Sequence, residues 1–329
     1  MKNSVSSMIL GTGSAIPEKV LTNFDLEKIV DTTDEWIRER SGIERRHILE
    51  ESKTNSDLAT LAGQRALEDA GITAKELDFI IIGTVTPDSV FPSTACRVQA
   101  KMGAVKAAAF DLCAACSGFL FGLSLAYSLI QSGQGKKILV IGSEILTRIT
   151  DWEDRSTCVL FGDGAGAVVV GPSDHKRGIL SVYMKSDGRL GDLLYMPGGG
   201  VSFPASHETI DKRMHFIKMK GREVFKHAVR TMTDAAVHGL TEAGYEAEDI
   251  DLLITHQANI RIINAIAKRL KLPKEKVVVN IQDYGNTSAA SIPIALDQVR
   301  REGRLKDGDL CLLVAFGGGF TWGSSMIKF

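Results

Sequence analysis

Long apolar runs are missing from this chain. The most continuous, such as Phe79–Ile82 and Ile138–Ile141, are far shorter than the roughly 20 residues a membrane-spanning helix needs. They read instead as buried strands of a parallel sheet. An apolar signal core is lacking too, because polar residues and glycines interrupt the N-terminal stretch before Pro17. Net charge is almost absent, −1 over 329 residues, so no overall field draws nucleic acid, and an anionic partner needs a local basic patch. Disulfide-scaffold spacing is lacking. The five cysteines, Cys96, Cys113, Cys116, Cys158 and Cys311, cannot all pair, which points to a reducing cytoplasm. No stretch matches a P-loop. Gly11-x-Gly13 follows a short strand, but Ile16 stands where the dinucleotide fingerprint needs its last glycine. Gly162-Asp163-Gly164-Ala165-Gly166 reads as lying before a strand rather than opening a helix. Nucleotide-dependent redox and phosphoryl chemistry are excluded on these grounds. Cys113-x-x-Cys116 has no second pair to hold zinc, and the two alanines inside it give no thioredoxin-like setting.

What is present is the composition of a soluble globular protein, 44% hydrophobic and 24% charged, long enough for two domains. The chain also repeats itself. Asp69-Ala70-Gly71 leads through Ala74 to Leu77–Ile81, and Glu242-Ala243-Gly244 leads through Ala247 to Ile250–Ile254, an offset of 173 residues. Each copy reads as helix, glycine stop, short loop and buried strand. Leu139-Val140-Ile141 and Leu312-Leu313-Val314 share that offset. Two similar α/β halves are expected, 1–172 and 173–329, with the boundary near Pro172 after a strand at Ala167–Val170. No low-complexity linker separates them, so a tight interface is expected.

Three stretches carry chemistry: Ala114-Ala115-Cys116-Ser117-Gly118, His256-Gln257-Ala258-Asn259, and Gly285-Asn286-Thr287-Ser288 with its two following alanines. Cys116 opens a small-residue helix, Phe119–Ile130. A helix N-terminus lowers a thiol pKa, and small neighbours leave room for an acyl thioester. Cys96, Cys158 and Cys311 read as structural. His256 follows the apolar strand Leu252–Thr255, at the strand-end edge where open α/β sheets bind ligands. Its Nε2 could donate to a thioester oxygen that becomes an enolate. His47, His175, His207, His215, His227 and His238 carry no such context. Asn286 precedes the helical stretch Ile292–Val299; an ordinary N-cap explains it as well as a catalytic role. Gly317-Gly318-Gly319 follows the strand Leu312–Ala315. These glycines serve either as a plain turn or as a close backbone approach to an oxyanion.

Together with Gly11-Thr12-Gly13, Trp36, Phe161–Gly166 and Ala315–Gly323, these stretches closely resemble β-ketoacyl-acyl-carrier-protein synthase III over essentially the whole chain. The resemblance implies a thiolase-like fold, two duplicated α/β halves in five layers αβαβα, assembled as a homodimer. It implies an acyltransferase that condenses an acyl-CoA starter, most commonly acetyl-CoA, with malonyl-acyl carrier protein and starts type II fatty-acid synthesis. Catalysis would fall to Cys116, His256 and Asn286, with an oxyanion hole from the Cys116 and Gly318 N–H groups. Thr32, Trp36, Arg40, Arg155 and Asn259 match coenzyme A contacts, the adenine lying between Trp36 and Arg155. Lys226, Arg261 and Lys268 match carrier-protein contacts, and Phe91 would line the acyl pocket of the partner across the dimer. No metal, no cofactor, no nucleic acid, no membrane and a cytoplasmic location are expected. Rival readings are a starter-unit synthase of a secondary pathway on the same fold, and a non-catalytic acyl-CoA or carrier-binding module. Hydroxymethylglutaryl-CoA synthase would want a catalytic glutamate near the thiol, which the helix preceding Cys116 does not offer, and thiolase a second cysteine near the C-terminus.

Overall fold

Alternating β-branched runs and amphipathic helices build two large sheets separated by helices, with two short two-stranded ribbons beside them. The computed structural model describes residues 6–173 and 177–329; His175 lies outside the described residues. The first sheet contains β1 (Ser7–Ala15), β2 (Phe79–Gly83), β3 (Ala108–Leu112), β4 (Ile138–Ile145) and β5 (Asp163–Pro172), in the spatial order β1-β5-β4-β2-β3. β4, β2 and β3 run parallel, while β1 and β5 are antiparallel to their neighbours. The second sheet contains β6 (Gly178–Ser186), β7 (Leu252–Thr255), β8 (Leu310–Gly317) and β9 (Thr321–Lys328), in the order β7-β8-β9-β6. A single bridge from Leu253 to Val277 stands beyond β7, where β3 stands beyond β2. Read from β6, the second sheet follows the order of the first.

The 173-residue offset holds at atomic detail. Helices Asn55–Ala70 (α1) and Gly221–Ala243 (α2) both end on a left-handed glycine, Gly71 at φ 65° and Gly244 at φ 75°. Short 3-10 turns at Ala74–Glu76 and Ala247–Asp249 follow, then β2 and β7.

Both faces of each sheet are covered, which is why β2, β4 and β8 read as unbroken apolar runs. Successive side chains still separate the two faces. Ile80, Ile82, Leu139 and Ile141 pack outward against Leu58, Ala62 and Ala66 of α1. Ile81 and Val140 point inward, onto Phe119, Leu120 and Leu123 of the helix Gly118–Gln131. From the other side, Ile254 and Leu313 meet Ile292, Ala295 and Val299 of the helix Ser291–Arg301. Leu253, Leu312 and Val314 turn outward to Met232 and Ala236 of α2 and to Ile262 and Ile266 of the helix Ile260–Arg269. The layers are therefore helix, sheet, helices, sheet, helix. The two central helices start at one end of the molecule, beside the C-terminal ends of β2, β4, β7 and β8.

Two glycine segments differ from the sequence reading. Gly11 and Gly13 lie within β1, and Asp163–Gly166 lie within β5 rather than before it. A Cβ on Gly11 or Gly13 would come within 2.4 Å of backbone nitrogen in α1, and one on Gly166 within 2.6 Å of the Ile294 nitrogen. These glycines let helices lie against the sheet; they do not make turns.

Candidate active site

One cavity, of about 320 Å³, opens at that common end. Cys116, His256 and Asn286 all line it, with Trp36, Arg40, Asn259 and Gly317. Much of the remaining wall is apolar, including Leu194, Val224, Met232, Ile262 and Phe316.

Cys116 lies in a 3-10 turn, Ala115–Ser117, directly before the helix Gly118–Gln131. Ala115 takes a left-handed conformation, φ 45°. The Thr321 hydroxyl donates to the Ala114 carbonyl at 2.8 Å, and the Ser117 hydroxyl donates to the Thr321 carbonyl at 3.1 Å. A Cβ on Gly317 would meet the Cys116 nitrogen at 2.5 Å, and one on Gly318 would lie 3.7 Å from the Ala115 Cβ. The glycine triplet is thus pressed against the Cys116 turn. The expected lowering of the thiol pKa does not occur. Burial pushes Cys116 up to about 12, and the nearby Glu144 carboxylate adds to this, against hydrogen bonds from Ser288 and from the residue's own amide. Desolvation of the sulfur outweighs the helix terminus.

His256 follows β7, and its N–H donates to the Val314 carbonyl at 2.8 Å. The ring is buried, and its Nδ1 lies 2.7 Å from the Ser291 hydroxyl, which also accepts from the Gln257 N–H at 3.3 Å. Burial alone lowers its pKa to about 3, so the imidazole is neutral at physiological pH. Asn286 is fixed at its backbone by N–H donation to Leu160 at 2.8 Å and by accepting from Gly162 at 3.1 Å. Its Oδ1 accepts from the Ser288 N–H at 2.9 Å. This bond closes a local turn and is not the helix cap weighed for the residue: the 3-10 turn Ser288–Ala290 starts after Thr287 and the helix Ser291–Arg301 after Ala290, neither with a side-chain cap.

The other expected contacts are spread more widely. Trp36 sits on the helix Asp34–Ser41, capped by the Thr33 hydroxyl. The guanidinium carbons of Arg155 and Arg40 lie 5.0 and 5.5 Å from its ring centroid. Asn259 caps the helix Ile260–Arg269 through donation from the Arg261 N–H at 2.8 Å, and its amide donates to the Arg40 carbonyl at 2.9 Å. The Thr32 hydroxyl is buried with no hydrogen-bond partner among the described residues. Lys226, Arg261 and Lys268 are exposed on neighbouring helices outside the cavity lining. Phe91 is not part of the cavity; it stands 83% exposed, beside Val90 at 89%.

Glu144 and Ser291 do not stand out in the sequence, and Ser288 enters it only as part of the Asn286 stretch. Glu144 is fully buried at the end of β4. Its Oε2 accepts from the Thr84 hydroxyl at 3.1 Å, the Val85 N–H at 3.0 Å and the Thr86 hydroxyl at 2.8 Å; its Oε1 accepts from the Ser288 hydroxyl at 2.9 Å. Burial raises its pKa to about 7 against those four donors. A carboxylate closing an otherwise apolar strand is the one signal the sequence offers for it.

Residues 110–188 match the family 3-Oxoacyl-[acyl-carrier-protein (ACP)] synthase III, and residues 240–329 match its C-terminal region. The chain is 56% identical over 328 residues to the Beta-ketoacyl-[acyl-carrier-protein] synthase III of Caldanaerobacter subterraneus subsp. tengcongensis, covering 100% of this chain and 99% of that protein. The crystal structure of 3-oxoacyl-[acyl-carrier-protein] synthase III from Aquifex aeolicus superposes with a TM-score of 0.92 at 53% identity, covering 98% of this chain and 100% of that one. The priming β-ketosynthase of the R1128 polyketide pathway is also similar, at 34% identity and a TM-score of 0.93, covering 100% and 98%.

Proposed function

The chain belongs to the β-ketoacyl-[acyl-carrier-protein] synthase III family, and on that premise we propose how its residues join an acyl-CoA starter to malonyl-acyl carrier protein. It is a condensing acyltransferase with the thiolase-like fold, acting at the start of fatty-acid synthesis. The observation that carries the residue assignment is the meeting of Cys116, His256 and Asn286 on one cavity.

In this reading Cys116 attacks the acyl-CoA carbonyl and takes the acyl group as a thioester, releasing CoA. The tetrahedral oxyanion is held by the N–H groups of Cys116 and Gly318. Malonyl-acyl carrier protein then enters. The Ser291 hydroxyl donates to His256 Nδ1, which leaves the imidazole proton on Nε2, and the Asn286 amide supplies a second donor. Both aim at the malonyl thioester oxygen. Loss of CO₂ puts negative charge on that oxygen in an apolar site, where fixed donors act most strongly. A neutral imidazole donates there without needing a counter-charge. The carbanion attacks the acyl-Cys116 carbonyl, and collapse expels the thiolate and yields 3-oxoacyl-acyl carrier protein. Decarboxylation drives the reaction, so it calls on no resident cofactor or metal.

Trp36 offers a flat face for adenine, with Arg155 swinging aside to close over it; Thr32, Arg40 and Asn259 supply polar contacts along the same mouth. Lys226, Arg261 and Lys268 form the basic dock for an acidic carrier protein. We read the chain as halves 1–172 and 173–329, working in the cytoplasm as a homodimer in which Phe91 reaches the partner's acyl pocket. Sedimentation tests the assembly. The polyketide priming synthase supports a second reading, starter-unit supply to a secondary pathway, although the identity to it is lower. Turnover with a panel of acyl-CoA esters separates the two by starter preference. The decisive test of the nucleophile is transfer of radiolabelled acetyl from acetyl-CoA: label on Cys116 in the parent protein, none in Cys116→Ala, and little condensation by Cys116→Ser. Normal turnover by the alanine variant would overturn the assignment.

A further inference from the structure

One fully buried cation plays no part in the proposed reaction. Arg46 lies in a two-stranded ribbon, Lys19–Thr22 paired with Arg45–Ile48, and is completely enclosed. Burial lowers its pKa only to about 10, so it keeps its charge at neutral pH. One terminal nitrogen of the guanidinium donates to Asn23 Oδ1 at 2.8 Å and to the Leu21 carbonyl at 3.3 Å; the other donates to the Val159 carbonyl at 2.8 Å. All three acceptors are neutral, and Nε has no partner among the described residues. A buried cation met only by neutral oxygens is a poor device for stability alone. Its value lies in what it joins.

Two arms leave it. On the first, Asn23 Nδ2 donates to Asp34 Oδ1 at 2.9 Å, and Asp34 opens the helix that carries Trp36 and Arg40. On the second, Val159 is the C-cap of the short helix Arg155–Cys158, where an arginine suits the last carbonyls. That helix carries Arg155, whose guanidinium lies over the Trp36 ring. The chain then runs from Val159 into Leu160 and Gly162, the two residues that hold the Asn286 backbone. A Cβ on Gly162 would stand 3.0 Å from the Arg46 Cβ, and one on Gly285 3.2 Å. Both sides of the bridge between Phe161 and Asn286 therefore pack against this one residue.

We propose that Arg46 is a positioning residue that sets the Trp36 ring and the Asn286 amide relative to one another, joining the mouth that takes coenzyme A to the donor that serves decarboxylation. This rests on the reading of Trp36 as a coenzyme A contact and Asn286 as an enolate donor. Arg46 does not line the cavity; it acts through Asn23 and Val159. A guanidinium suits the task because its terminal nitrogens reach in different directions from one rigid plane. A lysine carries all its donors on one nitrogen and cannot span both arms.

The test compares Arg46→Gln, Arg46→Lys and Asn23→Ala with the parent, each checked for folding by thermal unfolding. Calorimetry gives the Kd for coenzyme A, and the decarboxylation half-reaction gives kcat for malonyl-acyl carrier protein. Arg46→Gln should lose about tenfold in each, the scale of a lost charge-assisted hydrogen bond and of slightly displaced reacting groups. Arg46→Lys should recover no more than one of the two. Asn23→Ala cuts only the first arm, so it should weaken coenzyme A binding about tenfold and leave decarboxylation unchanged. If Arg46→Gln does not fold, the lysine and Asn23 variants decide the matter. Parent values in the folded Arg46 variants would reduce the residue to a structural tie. Full recovery of both quantities by lysine would make charge, not span, its contribution. Loss of decarboxylation in Asn23→Ala would deny the separate arms. Any of these overturns the proposal. Unchanged coenzyme A binding by Trp36→Ala, or unchanged decarboxylation by Asn286→Ala, would instead sink the reading beneath it.

Discussion

A thiol held near pKa 12 is scarcely ionised at neutral pH, so acylation depends on removing its proton, and decarboxylation depends on something else. In the proposed reaction His256 and Asn286 serve the second task. Replacing either with alanine should lower malonyl decarboxylation by about 10²–10³-fold while sparing acylation, measured as separate half-reactions; equal losses would show the roles are wrongly divided. The buried imidazole also makes stability depend on pH. In the unfolded chain it takes a proton near pH 6.5 and in the folded chain only near 3. The unfolded state therefore binds the proton first as pH falls. The contribution is complete above 6.5 and is lost progressively down to about 3. His256→Asn should flatten the fall of the unfolding temperature across that window, relative to the parent. At this scale the sequence shows which side chains could react but not in what ionic form. Cys116 sits where a helix start favours a thiolate, yet the cavity that buries it takes His256, Asn286 and Gly317 from over a hundred positions away. Glu144 is hidden in the sequence for the same reason: its partners Thr84 and Ser288 are adjacent only once both sheets are packed.

Among the elements, the strand ends and the central helices do most to fix the site. Strand cores are legible because short apolar runs bounded by glycine or polar residues fit little besides a buried strand, and the 173-residue repeat marks equivalent helices, stops and strands. Glycines are the weak point. In this chain several of them record helix-to-strand contact, information that local sequence does not carry. Gly142 in β4 is the sharpest case. A Cβ there would lie 2.1 Å from the Ala289 carbonyl oxygen, and that backbone belongs to the turn bearing Asn286 and Ser288. Gly142→Ala should cost on the order of 3 kcal/mol and depress decarboxylation through displacement of Asn286. Gly103, left-handed at φ 68° with nothing near its Cβ position, supplies the comparison: Gly103→Ala should cost only the conformational strain, about 1–2 kcal/mol, with activity intact. Denaturant unfolding and the half-reaction assay separate the two.

For the whole molecule, a net charge of −1 offers an acidic carrier no general attraction, so recognition has to be local. Reversing Arg261 and Lys268 to glutamate should raise the KM for malonyl-acyl carrier protein at least about tenfold, and added salt should erode the parent's advantage. Acylation by acetyl-CoA should be unchanged, since neither side chain lines the cavity. The cavity itself is assembled from everything at once: a thiol from the first sheet's side, imidazole and amide from the second, and a carboxylate of one bonded to a hydroxyl of the other. Chain order keeps these parts at a distance until late. In the proposed reaction, residues 1–172 bring the thiol without the His256 and Asn286 donors, and the Gly318 N–H is added only near the end of synthesis. On that reading a nascent chain holds no complete site until Gly318 has been added.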